Sequence, residues 1–305
     1  MKKEIKKPKV VFILGPTGVG KTGISTEIAK AFDGEIISSD SVQIYKEFDI
    51  GSAKVTKEEM QGVVHYGIDI ISPEQEFSVF DYVNYTKEKI YQITQKGKLP
   101  IVVGGTGLYV KALTEGYNFG KAEKNDDFRK NIEKEINENG LEEVYERLKK
   151  IDSELASKTD SKNKPRVIRA LEIATFGTKK EKQTESEFDF KIFALNMERE
   201  KLYDRINQRV DIMIKDGVVD EVMALYKKYG NVQPMRAIGY KEFLPYFENE
   251  ASLEQCINLI KQHSRNYAKR QITFLKGMQN IEFVDVGNKT QALKSIKEKI
   301  EKFLK

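Results

Sequence analysis

Val10-Val11-Phe12-Ile13-Leu14-Gly15-Pro16-Thr17-Gly18-Val19-Gly20-Lys21-Thr22-Gly23-Ile24-Ser25-Thr26-Glu27-Ile28-Ala29-Lys30 joins an apolar run, a glycine-rich turn and an amphipathic segment. The apolar run reads as a buried strand and the amphipathic segment as a helix. Between them, Gly15 to Thr22 has the G-x-x-x-x-G-K-[ST] spacing, and strand, turn and helix are the context that spacing needs. Successive backbone N–H groups of such a turn and of the first helical turn converge on one spot and bind an anion. Glycine lets the backbone come close without a Cβ in the way. Lys21 adds a mobile positive charge, and Thr22 offers a hydroxyl to Mg²⁺. Gly15, Pro16, Thr17, Gly18, Val19, Gly20, Lys21 and Thr22 are therefore the expected phosphate-binding residues. The turn alone does not say which phosphates it holds.

Outward from this turn, residues 10 to about 112 alternate strand and helix patterns. Glu35-Ile36-Ile37-Ser38 is a second strand, and His65 to Ile71 a third, closed by Pro73. Phe77 to Gln95 carries Phe80, Val83, Ile90 and Ile93 at helical spacing, with Ser78 placed to cap it. Leu99-Pro100-Ile101-Val102-Val103 is another apolar strand, running into Gly104-Gly105-Thr106-Gly107 and a helix from Leu108. Alternation of helices with fully apolar strands predicts an α/β fold: a P-loop-type parallel sheet with helices on both faces.

Residues 118–188 differ. They are densely charged, with Ile132 and Ile136, then Leu141, Val144 and Leu148, at helical spacing, and a further helix from Arg166 to Ile173 follows Pro165. This predicts an all-helical insertion domain between a first part of the core, 1–117, and a second, 189–305. The second part opens on the strand Lys191 to Asn196. It continues with a helix pair over 198–229 broken near Gly217, and a turn from Pro234 to Lys241. A long helix from Leu253 to Lys276, a last strand at Ile281 to Val284 and a terminal helix over 290–304 complete it.

The bulk properties narrow the function classes. No run of about 18 apolar residues exists, which argues against a transmembrane span. The basic start, Met1 to Lys9, lacks the small-residue cleavage pattern of a signal peptide. One cysteine, Cys256, leaves no internal disulfide to form and fits a reducing cytoplasm. The net charge of +5 is a weak pointer to a polyanionic partner. Lys261, Arg265 and Lys269 at i, i+4, i+8, followed by Arg270 and Lys276, put a basic stripe on the long helix, with Tyr267 and Phe274 interleaved. Such a stripe suits a phosphate backbone, or is simply a solvated face. His65, His263 and Cys256 have no transition-metal spacing.

Ligands of open parallel sheets lie beyond the carboxyl ends of the strands. Asp40 follows the second strand and Thr106 the later one, so both are expected to face the phosphate turn. A carboxylate beside bound phosphates can take a proton from a nucleophile or hold Mg²⁺ through water. It can equally be a turn or cap residue, as Asp commonly is. Thr106 can donate to a phosphate or a leaving oxygen, or cap a tight turn. On pattern alone the chain is a phosphoryl- or pyrophosphate-handling enzyme. A small-molecule or nucleotide kinase and a nucleic-acid-binding NTPase remain open.

Several stretches together resemble the tRNA dimethylallyltransferases (tRNA isopentenyltransferases). They are Gly15 to Thr22, Ile36 to Tyr45 with Asp49 to Lys54, Val103 to Tyr109, Pro165 to Glu172, Arg236 to Lys241 and Ala268 to Lys276. The Asp40-Ser41-Val42-Gln43-Ile44-Tyr45 and Lys269-Arg270-Gln271-Ile272-Thr273 stretches are the selective ones. Phe274 stands where many members carry tryptophan. The resemblance implies transfer of a dimethylallyl group from its diphosphate to the N6 amine of the adenine just 3′ of the tRNA anticodon. The phosphate turn, often described in such proteins as an ATP site, would then grip a prenyl diphosphate. Asp40 matches the family's general base and Thr106 its contact near the leaving group. Asp40, Ser41, Val42 and Gln43 match the stretch that reads the target base. Arg129, Arg166, Arg169, Arg236, Gly239, Lys241, Lys269, Arg270, Gln271 and Lys276 match tRNA contacts. Expected with it are Mg²⁺ on Thr22, possible help from Asp40 through water, and a cytoplasmic monomer acting on the anticodon stem-loop.

Overall fold

The computed structural model describes residues 7–115, 125–177 and 186–305. They form two compact units, 1–114 with 186–305 and 115–185. The larger is built on one six-stranded sheet, ordered β3-β2-β4-β1-β5-β6, in which every pair is parallel. The strands are β1 Lys9–Leu14, β2 Gly34–Ser39, β3 His65–Tyr66, β4 Leu99–Gly104, β5 Asp189–Asn196 and β6 Ile281–Asp285. β1, β2 and β4 are almost wholly buried, as a sheet covered by helices requires, and β1 and β4 are near-continuous apolar runs.

β2, β4 and β1 are neighbours in that order. The phosphate turn, Asp40 and the Gly104–Gly107 turn each follow one of these three strands. Parallel pairing therefore delivers all three to the same sheet end. One part of the core packs Val11, Ile13, Ile36, Ile101 and Leu195 against Ile24 and Ile28 of helix Lys21–Ala31 and Ile296 and Ile300 of helix Lys289–Leu304. A second packs Ile44, Tyr45 and Phe48 against Val222, Met235, Tyr240, Phe243 and Ile260. It places the chain after β2 against the segments around 235–243.

Helix starts follow local chemistry. Ser78 and Ser252 each form a reciprocal capping box, with Asp81 and Gln255, opening helices Val79–Gln95 and Leu253–Lys276. Two expectations fail. The third strand stops at Tyr66 because Gly67 (φ +77°) and Asp69 (φ +54°) take left-handed conformations. Ile71 returns only as an isolated bridge to Tyr45. Phe80, expected on the packed face of its helix, is 54 % exposed, whereas Val83, Ile90 and Ile93 are buried.

The smaller unit contains helices Asp126–Asn139, Leu141–Ile151, Ser153–Ser157 and Lys164–Phe176. The last starts at an Asn163 cap with Pro165 in its first turn, where the missing N–H costs nothing. Ile132, Val144, Leu148, Val167, Ile168 and Leu171 form its core. Beside that core, the fully buried Glu172 accepts Arg129 Nη2 (2.7 Å), Arg129 Nε (3.0 Å), Arg169 Nη1 (2.5 Å) and the Asn125 N–H (2.8 Å). Burial alone would raise its pKa. Arg129, the Asn125 amide and Arg169 together hold it at about 2, below its ordinary 4.5.

A folded-state pKa below the unfolded one means stability present above about pH 4.5 and lost as the pH falls toward about 2. Glu172→Gln removes the charge that Arg129 and Arg169 share, so it is expected to lower the thermal midpoint at neutral pH. The gap to wild type should close through that acid window, and thermal unfolding across pH measures it.

Candidate active site

Gly20 caps helix Lys21–Ala31 in a left-handed conformation (φ +97°), which a side chain would strain. The helix therefore starts at Lys21 with its first N–H groups turned to the turn's concave side. Lys21 Nζ donates to the carbonyls of Gly15 (3.0 Å) and Pro16 (2.9 Å). Its pKa is lowered to about 8, mainly by burial and then by Arg209, with Asp40 opposing. Two buried cations side by side give the turn a positive potential that favours an anion. Thr22 follows on the same helical turn, and its carbonyl accepts the Ser25 and Thr26 hydroxyls (3.0 and 2.9 Å).

Asp40 is partly buried at the end of β2. Its Oδ1 accepts the N–H groups of Val42 (2.8 Å) and Gln43 (3.2 Å), so it does serve as a turn residue. The turn uses one carboxylate oxygen. The charge of Asp40 is felt by Lys21, Arg209 and Tyr267. Thr106 ends the β4 turn: its N–H donates to Ser39 O (3.3 Å), and its carbonyl accepts Tyr109 N–H (3.0 Å) at the start of helix Gly107–Thr114. Asp40, Thr106 and Lys21 are thus gathered at one sheet end.

Three residues outside the expected set complete this arrangement. Arg209, on helix Arg199–Lys215, donates to Thr17 Oγ1 (3.2 Å) and Ala53 O (3.4 Å), tying the phosphate turn to the Asp49–Lys54 segment. Burial pushes its pKa down, with Asp40 and Glu59 opposing. One helical turn before it, the Arg205 guanidinium lies against Gly20. Tyr267 on the long helix lies beside Thr106 and Gln271, and its pKa is raised by burial first and by Asp40 second. The i, i+4 spacing of Arg205 and Arg209 was the one available signal. On an otherwise polar helix it does not differ from a solvated face.

The tRNA-facing candidates divide. Lys269 and Arg270 are exposed and line an open groove of about 470 Å³ with Asn266, Thr273 and Phe274. Lys276, Arg236 and Lys241 are exposed as well. Gln271 is a correction: it is 7 % exposed and faces inward. Its Oε1 accepts Thr17 N–H (2.9 Å) and its Nε2 donates to Gly105 O (3.0 Å), bridging the two turns rather than facing RNA. The basic stripe is shorter than its spacing suggested, because Lys261 pairs with Asp211 (2.6 Å) and Arg265 Nη1 with Asn207 Oδ1 (2.6 Å). Gly239 is buried, and its N–H donates to the buried Glu242 (2.8 Å), which also meets His263 Nδ1 (2.8 Å). In the smaller unit Arg166 is exposed, while Arg129 and Arg169 are paired with Glu172.

A family model described as IPP transferase matches residues 43–278. The chain is 45% identical to the tRNA dimethylallyltransferase of Bacillus cereus (strain AH187), over 98% of each chain. The chain belongs to the IPP transferase family. Two solved members share its fold across the length of the chain. The full-length tRNA isopentenylpyrophosphate transferase of Bacillus halodurans is 41% identical, covers 98% of this chain and 97% of its own, and gives a TM-score of 0.76. A eukaryotic dimethylallyltransferase, described as acting on tRNA, is 31% identical with a TM-score of 0.80, over 93% of this chain and 75% of its own. Among IPP transferases, then, this chain carries the phosphate turn, Asp40 and Thr106 on the three central neighbouring strands.

Proposed function

We propose that the chain transfers a dimethylallyl group from dimethylallyl diphosphate to the exocyclic N6 amine of the adenine 3′-adjacent to the anticodon in tRNAs, giving N6-isopentenyladenosine and diphosphate. The observation that carries this reading is the convergence of Lys21, Asp40 and Thr106 at one sheet end, in an IPP transferase.

Adenine's amine is a weak nucleophile because its lone pair is delocalised into the ring. Asp40, held by its own turn, accepts one amine hydrogen through its second oxygen, orients the amine and takes the proton as the N–C bond forms. Diphosphate leaves only if its growing charge is neutralised. Lys21, Arg209 and the turn's N–H groups supply fixed positive potential there. Thr106 contacts the leaving oxygen.

The donor set fits Mg²⁺. Among the described residues no three His, Cys, Asp or Glu side chains form a metal cage. Mg²⁺ instead favours a hydroxyl, waters and substrate phosphates. Thr22, with Asp40 through water, would hold it, and the ion would neutralise charge on the diphosphate.

The target base is extruded to reach this depth. Lys269, Arg270 and Lys276, with Arg236 and Lys241, meet the stem-loop backbone, and Arg129, Arg166 and Arg169 of the helical unit add contacts. One chain supplies every residue named, so a monomer suffices. Among the described residues no helix is long and apolar enough to cross a membrane, and the tRNA substrate fits the cytoplasm.

Incubating the protein with labelled dimethylallyl diphosphate and total tRNA, with and without Mg²⁺, tests the reading. Label in tRNA supports it. ATP turnover on a small acceptor without tRNA would replace it with a kinase. Within this reading, Lys269→Ala or Arg270→Ala is expected to weaken tRNA binding and reduce the salt slope by about one. Lys261→Ala, whose ammonium is paired with Asp211, should leave the slope unchanged. Titrations across salt concentrations distinguish the two.

A further inference from the structure

Glu221 lies on helix Val218–Tyr229, far in sequence from every residue of the site. Its Oε2 accepts the N–H groups of Asp49 (3.2 Å) and Ile50 (2.7 Å). Its Oε1 accepts the Gly51 N–H (3.0 Å) and the Tyr240 hydroxyl (3.0 Å). Four donors fill the lone-pair sites of one carboxylate. The segment they hold is packed closely: a Cβ on Gly51 would come within 2.6 Å of the Tyr240 ring. It is pinned again at its end, where Lys54 Nζ donates to Tyr45 O (2.8 Å) and pairs with Asp49 and Asp69 (2.5 Å each).

Immediately after the clamped residues, Ser52 and Ala53 turn their carbonyls toward Gln43. Gln43 Nε2 donates to both, at 3.4 and 3.1 Å. A side-chain amide has one donor end and one acceptor end. With the NH₂ directed at two carbonyls, Gln43 presents Oε1, an acceptor, beyond them.

We infer that Glu221 is a positioning residue for base selection: by fixing Asp49–Gly51 it sets the Ser52 and Ala53 carbonyls, which hold Gln43 with its acceptor oxygen toward the target base. The inference rests on the functional reading above and on the resemblance, which places Gln43 in the stretch that reads the target base. An acceptor there takes a hydrogen from adenine's exocyclic amine and is repelled by the carbonyl of hypoxanthine. Turning the amide over would reverse the preference. Glu221 therefore governs which base edge the site tolerates while standing away from the base itself.

The test compares two synthetic anticodon stem-loop RNAs that differ only in adenine or hypoxanthine at the target position. Binding is the readout, because hypoxanthine has no amine to modify. Full-length wild type and Glu221→Gln are compared, with inorganic diphosphate binding and circular dichroism reporting the fold. Wild type is expected to prefer the adenine RNA by about tenfold or more, the size of one hydrogen bond replaced by a buried mismatch. Glu221→Gln sets an NH₂ against backbone N–H donors, so the preference should fall by at least about threefold, the part that Asp40 supplies remaining, while diphosphate binding is retained.

A folded Glu221→Gln that keeps the full preference overturns the inference. So does a wild type that binds both RNAs equally. A folded wild type that binds neither RNA overturns the functional reading instead. Where Glu221→Gln does not fold, Tyr240→Phe decides, since it removes one of the four donors: a reduced preference supports the clamp, and an unchanged one overturns it.

Discussion

Asp40→Asn is expected to lower the single-turnover rate of prenyl transfer by about 10²–10⁴-fold, the usual cost of losing a positioned base. Its affinity for tRNA should stay close to wild type. The geometry makes this substitution unusually clean. Oδ1 of Asp40 accepts the Val42 and Gln43 N–H groups, and an asparagine oxygen accepts them in the same geometry. The turn that carries Ser41, Val42 and Gln43 is therefore retained, and what is lost is the basicity of the second oxygen. Asp40→Ala removes both functions, so it should weaken tRNA binding as well as the rate. The contrast between the two variants separates chemistry from architecture. A near-normal single-turnover rate for Asp40→Asn would return Asp40 to the role of a turn residue alone.

The sheet was legible because β1 and β4 are near-continuous apolar runs, each followed by a glycine-rich turn. Val10–Leu14 and Leu99–Val103 have no polar face to mislead. The placement of Asp40 and Thr106 followed from one rule about strand ends, and the order β2-β4-β1 shows why it worked. Helix starts were legible where a side chain satisfies the first N–H groups, as at Ser78, whereas the Asn163 cap, which starts its helix at Lys164, went unread. The third strand was over-read, because the apolar pattern of Ile68, Ile70 and Ile71 says nothing of the left-handed turn at Gly67 and Asp69.

Partnership between distant residues was not legible. A periodic row of cations looks the same whether it faces water or a neighbouring helix, so Lys261 and Arg265 were read as surface charge although Asp211 and Asn207 engage them. Arg209 failed in the opposite direction, passing for an ordinary helix charge while its guanidinium reaches Thr17. Gln271 was selected by the right motif for another reason. The stretch lies at the site, but the glutamine faces the two turns and leaves the groove to Lys269, Arg270 and Phe274. These contacts span fifty or more positions in the sequence, beyond what helical or strand spacing encodes.

Lys21→Met is expected to lower kcat by about 10²–10³-fold, comparable to removing one preorganised donor from a site where charge develops. Methionine keeps much of the length and apolar stem of lysine and removes the charge. The kinetic form of the loss matters more than its size. Charge on the diphosphate grows as its bond to the dimethylallyl carbon breaks, so the ammonium is worth more in the transition state than in the bound donor. The drop should therefore fall on kcat and on kcat/KM alike, with a smaller change in donor affinity. A rise in KM at unchanged kcat would mean that Lys21 only holds the ground state. Arg209→Met provides the comparison: its guanidinium also bonds Thr17 Oγ1 and Ala53 O, so its removal should weaken donor binding by loosening the turn as well as slowing transfer. Burial and Arg209 disfavour the charge of Lys21, and in the proposed reaction a diphosphate in the turn would favour it again.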